Sequence, residues 1–187
     1  MTLVATGDRQ AFAALYQRRR GDVFRFALHV SGSSSVADDV TQDVFMAVIH
    51  GAGRYRSGRS TARAWLLGVA RNFVRRARSA RQADELPDED SLHARAIAID
   101  ADAVPRIERL EHVARVRRAV LTLPVKYREA IVLCDLQELS YAEAAAVARV
   151  RIGTMRSRLH RGRALLARRL RGEDEACVRP RVVRSIV

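Results

Sequence analysis

The sequence is poor in the residues that stabilise many secreted proteins. It has two cysteines, Cys134 and Cys177, which lie far apart and form no metal-ligand spacing. This excludes a disulfide-stapled fold and suits a reducing compartment. Cys134 lies within an apolar stretch, so the pattern predicts a small buried hydrophobic residue there.

Features of membrane proteins and enzymes are also missing. The sequence has no signal-peptide pattern and no apolar run of membrane-spanning length, so we expect a cytoplasmic protein with no membrane insertion. It has no carboxylate–histidine cluster, phosphate-binding glycine loop or nucleophile constellation. We therefore expect no catalytic residues, no metal site and no cofactor, which disfavours an enzyme such as a nuclease. No segment alternates convincingly like a strand, and this favours an all-α fold.

Lysine is nearly absent, whereas arginine is abundant. Lys126 is the one lysine among 34 basic residues, and 21 acidic residues leave a formal net charge of +13. A charge of this size indicates a polyanionic partner. The arginine bias is also what a GC-rich coding genome produces, so we do not expect every arginine to make a contact. At 187 residues the chain has room for one medium or two small domains.

The most informative stretch is LSYAEAAAVARVRIGTMRSRLHRGRALLARRLR, residues 139–171. Ser140 and Glu143 have the spacing of a capping box, which predicts a helix start. We expect a break around Arg149–Gly153 and a second helix from near Thr154, a helix-turn-helix of the kind that places one helix in the DNA major groove. The apolar row of the second helix consists of Met155, Leu159, Gly162, Leu166 and Leu170.

The opposite face of this second helix is rich in arginine. No acidic residue occurs between Glu143 and Glu173. An ordinary solvated face usually mixes charges of both signs, whereas a face of cations alone repels itself unless a polyanion neutralises it. The pattern therefore favours DNA binding. The face comprises Thr154, Arg156, Ser157, Arg158, His160, Arg161 and Arg163.

The first half of the chain predicts further helices. Apolar spacing over residues 8–30 fits two helices separated near Gly21. The serine-rich residues 31–35 predict a loop, and Ser35 has capping spacing with Asp38. Two more helices follow, VADDVTQDVFMAVIH and TARAWLLGVARNFVRRARSA, on either side of a glycine- and arginine-rich loop. In the second of them we expect a buried stripe and, among others outside it, Arg71, Asn72, Arg75, Arg76 and Arg78.

An acidic segment divides the chain. Composition shifts near Gln82, where ADELPDEDS has no apolar period. We expect two small helical domains, residues 1–80 and 108–172, joined by a flexible acidic linker over residues 81–107 and followed by a flexible tail over residues 173–187.

In this order the segments resemble the extracytoplasmic-function (ECF) sigma factors, small (group IV) members of the sigma-70 family. Two blocks carry the resemblance: ADDVTQDVFMAVI with RYRSGRSTARAWLLGVARNFVRR, and LTLPVKYREAIVLCDLQELSYAEAAAVARVRIGTMRSRLHRGRALL. The resemblance implies that residues 1–80 form a sigma region 2-like domain. It implies a sigma region 4-like domain with the helix-turn-helix at residues 108–172. A helix-turn-helix alone is shared with many repressors, but this combination is specific.

The resemblance implies an alternative sigma factor that initiates transcription of a specific regulon. Its partners would be core RNA polymerase, through the β′ coiled coil and the β flap, promoter DNA with −35 and −10 elements, and an anti-sigma factor. The alternative is a conventional helix-turn-helix regulator that is not a polymerase subunit. The arginine-rich surface at residues 54–78 argues against it, because a sensor domain needs no second nucleic-acid surface.

The resemblance also assigns three sets of residues. Core-polymerase binding falls to Asp39, Gln42, Asp43 and Met46, with Phe45 at the edge of that surface or in the core. Recognition and melting of the −10 element falls to Tyr55, Arg56, Arg59, Asn72, Arg75 and Arg76. Recognition of the −35 element falls to Thr154, Arg156, Ser157, Arg158, His160 and Arg161. These residue types suit an unstacked base, a phosphate backbone and guanine edges.

Several of these residues have plainer interpretations. Asp38 and Asp39 also stabilise a helix N-terminus through its dipole. Tyr55 is a candidate for stacking on a base or for anchoring its loop, and Trp65 fits the core better than a stacking platform. His160 is a base reader or a solvated residue.

The turn of the helix-turn-helix departs from the family pattern. Where the family usually has Leu-Gly and then a proline, this chain has Ala148, Arg149 and Arg151. Glycine normally relieves a positive-φ requirement at such a position. Arg149 must therefore adopt that conformation at some cost or reshape the turn.

Overall fold

The computed structural model describes residues 1–52, 55, 60–83 and 103–178. No strand forms within these ranges, and the all-α prediction is confirmed. We call α1–α4 the N-terminal block; its helices span Thr2–Ala5, Arg9–Ser31, Ser34–Gly51 and Ala62–Ala83. We call α5–α8 the C-terminal block; its helices span Ala103–Leu121, Val125–Ile131, Tyr141–Ala148 and Ile152–Val178, with a π-helical turn at Val132–Leu136 after α6.

The helices enter the expected linker and tail. Helix α4 continues to Ala83, α5 begins at Ala103, and α8 continues to Val178. The middle of the expected acidic linker, residues 84–102, and the last part of the expected tail, residues 179–187, lie outside the described residues.

The prediction of two helices separated near Gly21 was wrong, because α2 runs unbroken from Arg9 to Ser31. Glycine inside a helix costs only about 1 kcal/mol, which neighbouring contacts offset. Asp22 is buried and pairs with Arg19 at 3.2 Å and with Arg25 at 2.8 Å, so ion pairs hold the helix together on both sides of the glycine.

The start of α3 also differs from its prediction. Ser33, rather than Ser35, is the N-cap, and its hydroxyl accepts a hydrogen bond from the Val36 amide. Gly32 precedes it with φ of 82° and ends α2 in the left-handed conformation. Gly32 and Ser33 therefore form a tight corner between two long helices, and this corner leaves Ser35 on the exposed side of α3.

The helix-turn-helix has the predicted elements. The capping box of Ser140 and Glu143 is complete, with reciprocal hydrogen bonds between side chains and backbone. Helix α8 begins at Ile152, two residues earlier than predicted from Thr154. Its inner row is confirmed by burial: Met155 and Leu159 are buried, and Gly162 packs against Ile131 of α6.

Arg149 resolves the question of the turn by adopting the left-handed conformation itself, with φ of 54° and ψ of 49°. For a residue with a Cβ this region costs about 1–2 kcal/mol.

We expect Arg149→Gly to raise the free energy of unfolding by about 0.5–1 kcal/mol, because glycine adopts this conformation without strain. Urea unfolding checks this. The matched control, Ala146→Gly at an exposed position of α7, should lose about 1 kcal/mol, and a loss in both variants would show that the turn stores no strain.

Candidate nucleic-acid interface

Helix α3 presents a continuous exposed strip on the N-terminal block. The strip's assigned residues follow i, i+3, i+4 and i+7 spacing and are all exposed: Asp39, Gln42, Asp43 and Met46. The helix is fixed by its other face, where Val44, Phe45 and Val48 are buried in the core. Of the two positions expected for Phe45, the structure therefore gives the core. We call this strip the α3 strip.

The sequence interpretation missed one residue of this surface. Ile49 lies three residues beyond Met46, and its side chain is 55% exposed, against 47% for Met46. The spacing of three residues from Met46 could have indicated that Ile49 shares its exposed face. An isoleucine in an apolar run is, however, normally assigned to the core. Two exposed apolar side chains thus adjoin the carboxylates of the α3 strip, which gives a partner both apolar and charged contacts.

The expected −10 residues are only partly within the described residues. Arg56 and Arg59 lie outside them. The Tyr55 hydroxyl donates a 2.9 Å hydrogen bond to the Ser60 carbonyl, and its ring meets Trp65 edge to face at 5.8 Å. Trp65 is half-buried against the core. In this conformation Tyr55 therefore anchors its loop, which is the second of its two expected roles.

The exposed part of α4 holds the remaining −10 candidates. Arg75 and Arg76 are exposed, and the Arg76 guanidinium lies 5.8 Å from the centre of the Phe73 ring. Asn72 is half-buried and lines a cavity of about 220 Å³ between α4 and α7, together with Val147 and Arg149. Asn72 thus faces the C-terminal block, where the cavity leaves its side chain partly accessible.

The prediction that Arg71 lies outside was wrong. Its side chain is buried, and its guanidinium pairs with the buried Glu129 carboxylate of α6 at 3.0 Å. Helical periodicity in the sequence assigns Arg71 to the same polar face as the arginines that follow it. The partner that makes burial possible is on a different block, and a buried arginine without a carboxylate would be strongly disfavoured.

Other polar contacts join the two blocks. Thr61 donates to the Glu143 carboxylate at 2.9 Å, and Arg63 donates to the Gln137 side chain at 2.9 Å. The Ser140 hydroxyl is the largest cause of the lowered pKa of Glu143, and the hydrogen bond from Thr61 is the second. From the other side, Arg128 of α6 donates at 2.7 Å to the Val30 carbonyl in α2.

The expected −35 face of α8 is largely open. Arg156, Ser157, His160 and Arg161 are exposed, whereas Thr154 and Arg158 are half-buried. The Ser157 hydroxyl donates to the Thr154 carbonyl at 3.0 Å, and its oxygen is left free to accept. Arg161 bonds to the Tyr127 phenol and is the largest cause of the lowered pKa of that group. Four side chains on one face of one rigid helix can therefore reach a groove together.

Tyr141 is a second residue that the sequence interpretation missed. Tyr141 is 41% exposed at the start of α7, and the Arg156 guanidinium lies 5.6 Å from the centre of its ring. The contact with this aromatic ring restricts the rotamers of the Arg156 side chain before it binds a partner. The sequence interpretation used the residues around Ser140 only to locate a helix start, so it did not consider the adjacent Tyr141 as a functional residue.

Across the described helices, none is long and apolar enough to cross a membrane. In the same part of the chain, no group of three or more histidine, cysteine or acidic side chains is placed to hold a metal ion.

Two family models match the two blocks. Sigma-70 region 2 matches residues 15–83, and Sigma-70, region 4 matches residues 114–166. The first match covers the α3 strip and α4, and the second covers the helix-turn-helix. Together they account for the elements whose geometry is described above.

Curated relatives and solved structures point the same way. ECF RNA polymerase sigma factor SigC of Mycobacterium tuberculosis is 38% identical over 168 residues, covering 87% of this chain and 85% of the relative. ECF RNA polymerase sigma factor SigE of Mycolicibacterium smegmatis is 34% identical over 170 residues, covering 85% of this chain and 62% of that longer relative.

Among solved structures, the sigma factor RpoE in complex with the anti-sigma factor NepR from Bartonella quintana superposes with a TM-score of 0.67 at 26% identity, covering 87% of this chain and 98% of that one. CnrH in complex with the cytosolic domain of CnrY gives a TM-score of 0.68 at 28% identity, covering 91% and 94%. The conventional-regulator alternative is not favoured, and the chain belongs to the extracytoplasmic-function sigma factors of the sigma-70 family, the alternative sigma factors of RNA polymerase.

Proposed function

We propose that this sigma factor reads the −35 element as duplex with α8 and the −10 element as an opened strand with α4 and the loop before it. The N-terminal block corresponds to the proposed region 2-like domain, residues 1–80, and the C-terminal block to the proposed region 4-like domain, residues 108–172. The polymerase supplies the chemistry, so this regulatory subunit needs no catalytic residue of its own. Its place of action is then the cytoplasm.

The observation that carries the proposal is the geometry of α8. Its inner row is packed on α6 and its outer face holds Arg156, Ser157 and His160 in the open. Arg156 suits guanine O6 and N7, because a guanidinium donates two parallel hydrogen bonds, worth about 1–3 kcal/mol of discrimination. Arg158, Arg161 and the helix N-terminus near Thr154 are proposed to hold phosphates.

Polymerase binding is proposed for the α3 strip, against the β′ coiled coil, and the C-terminal block is proposed to meet the β flap. Carboxylates on an exposed strip pair well with cations on a partner helix. An anti-sigma factor is proposed as a further partner, because both solved relatives described above were captured in complexes, one of them with an anti-sigma factor.

The experiment is promoter-dependent transcription by core polymerase with and without this protein. We expect Arg156→Ala to lower initiation about 10–100-fold on promoters with the preferred −35 element, since one bidentate base contact is lost. Asn72→Ala should impair opening at −10 without changing binding to −35 duplex. Arg169→Ala, also exposed on α8, is the matched control and should change initiation by less than about twofold.

The contrary result is equally concrete. If core polymerase neither binds the protein nor initiates with it, while the protein alone protects duplex operators, the promoter-reading proposal fails. A conventional regulator would then account for the helix-turn-helix.

A further inference from the structure

A strongly basic cleft separates the two blocks. It is a cavity of about 600 Å³ between α4 on one side and α6 to α8 on the other. Cations of both blocks line it: Arg71, Arg75, Arg78, Lys126, Arg149 and Arg158. We call it the basic cleft. A second cavity of about 530 Å³ continues it, sharing Arg75, Ser79 and Arg149 and adding Asn72.

The charge of the basic cleft is not balanced by the side chains described around it. Glu129 is the one carboxylate among these lining residues, and it is already paired with Arg71. Arg71 is 8% exposed, and its Nε atom is buried without a hydrogen-bond partner. A buried donor in this state normally marks a missing ligand or water.

The charge of Arg78 also acts on Arg128, a half-buried residue of α6. The pKa of Arg128 is lowered to about 10, mainly because burial removes water from its guanidinium and secondly because the Arg78 charge repels it. Like charges brought together across an interface destabilise it unless an anion lies between them. The closed arrangement of the blocks therefore favours a bound counter-anion.

The size and chemistry of the cleft limit the class of anion. Cavities of about 300–1,000 Å³ suit small ligands. Guanidinium and ammonium groups together are the usual partners of phosphates, the former in fork geometry and the latter as a point charge. We propose that the basic cleft binds the oligophosphate group of a small polyanion, with cations of both blocks sharing its charge. This goes beyond promoter reading and does not depend on it.

The test is titration of the full chain with tripolyphosphate by calorimetry, in about 150 mM salt and without polymerase or DNA. We expect saturable binding at one site. Sulfate at the same ionic strength should not compete, because it cannot span cations on both walls. The single tryptophan, Trp65, lines the cavity of about 220 Å³, which shares Arg149 with the basic cleft, so its fluorescence gives a second readout.

A pair of matched variants locates the site. Arg78→Ala with Lys126→Ala removes one cation from each wall and should weaken binding more than about tenfold, since two charge-assisted contacts are lost. Arg168→Ala with Arg169→Ala removes the same charge from exposed positions of α8 outside the cleft and should change affinity by less than about twofold.

The comparison of ligands identifies the source of the phosphates. Tighter binding of a nucleoside triphosphate than of tripolyphosphate assigns the cleft to a nucleotide, and the reverse assigns it to inorganic oligophosphate. Equal weakening by both double variants would overturn the proposal, because binding would then follow net charge alone. Binding that appears only after Asp84, Glu85, Asp88, Glu89 and Asp90 are neutralised would also overturn it.

Discussion

Glu129→Ala is expected to separate the two blocks rather than unfold either of them. The substitution leaves the Arg71 guanidinium buried without its carboxylate, and breaking one side of a buried pair costs about 3–5 kcal/mol. While the blocks stay closed, Arg71 cannot recover that energy from water. Once the blocks part, the Arg71 guanidinium is hydrated again, so opening costs less free energy than unfolding either block.

The measurement is the radius of gyration by solution X-ray scattering, together with the thermal transition of each block. We expect a larger radius for Glu129→Ala and little change for Asp135→Ala. The latter is a matched control, because Asp135 pairs with Arg163 inside the C-terminal block at 56% exposure of the arginine side chain, and exposed pairs contribute about 0–1 kcal/mol. An unchanged radius with lower stability would show that the blocks do not part.

A double substitution distinguishes the loss of the pair from the loss of packing. Arg71→Ala with Glu129→Ala removes both charges, so no uncompensated charge remains in the interface. We expect its radius to return toward that of the unchanged chain. If the double variant is more open than Glu129→Ala, the aliphatic parts of these side chains hold the blocks together instead of the ion pair.

Opening matters because Asn72 is half-buried next to α7 while the blocks are in contact. That side chain lines the cavity against α7, whereas the −35 face of α8 is largely exposed. The two proposed DNA surfaces are therefore not equally available in the same conformation. A consequence is that Glu129→Ala should bind single-stranded −10 DNA more tightly, while its affinity for −35 duplex stays the same.

The sequence predicts local features of this fold well, because they depend on neighbours within a turn or two of helix. The Ser140 capping box and the Met155 row each follow from spacing alone, and both are present. A helix break was wrongly predicted at Gly21. The ion pairs of Asp22 that stabilise α2 next to this glycine include one with Arg63 on α4, at 3.2 Å. A contact of that kind leaves no periodic trace.

The contacts between blocks were beyond prediction for the same reason. Thr61 and Glu143 are 82 positions apart in the chain, and each has a sufficient local explanation as a loop or capping residue. Likewise, exposure of the α3 strip followed from helical spacing, but its proposed role came only from family resemblance. Ile49 shows the limit, because an apolar residue at the surface is normally assigned to the core until the surface is known.

Charge reversal on the α3 strip is expected to have the largest effect on polymerase binding. Asp39→Arg with Asp43→Arg places two cations where cations of the partner are proposed to dock. Like charges brought together in an interface cost several kcal/mol, so we expect the affinity for core polymerase to fall by more than about 100-fold. Both side chains are exposed and the core face of α3 is untouched, so the fold should persist.

The matched control is Asp38→Arg in the same helix. Asp38 is also exposed, but it lies about 100° round the helix from Asp39, outside the α3 strip and beyond the first turn of α3. Its affinity for polymerase should change by a few-fold at most. Binding of isolated −35 duplex should be the same in all three proteins, because α8 is on the other block. Equal losses of polymerase affinity in both variants would mean that overall charge, and not the α3 strip, governs the encounter.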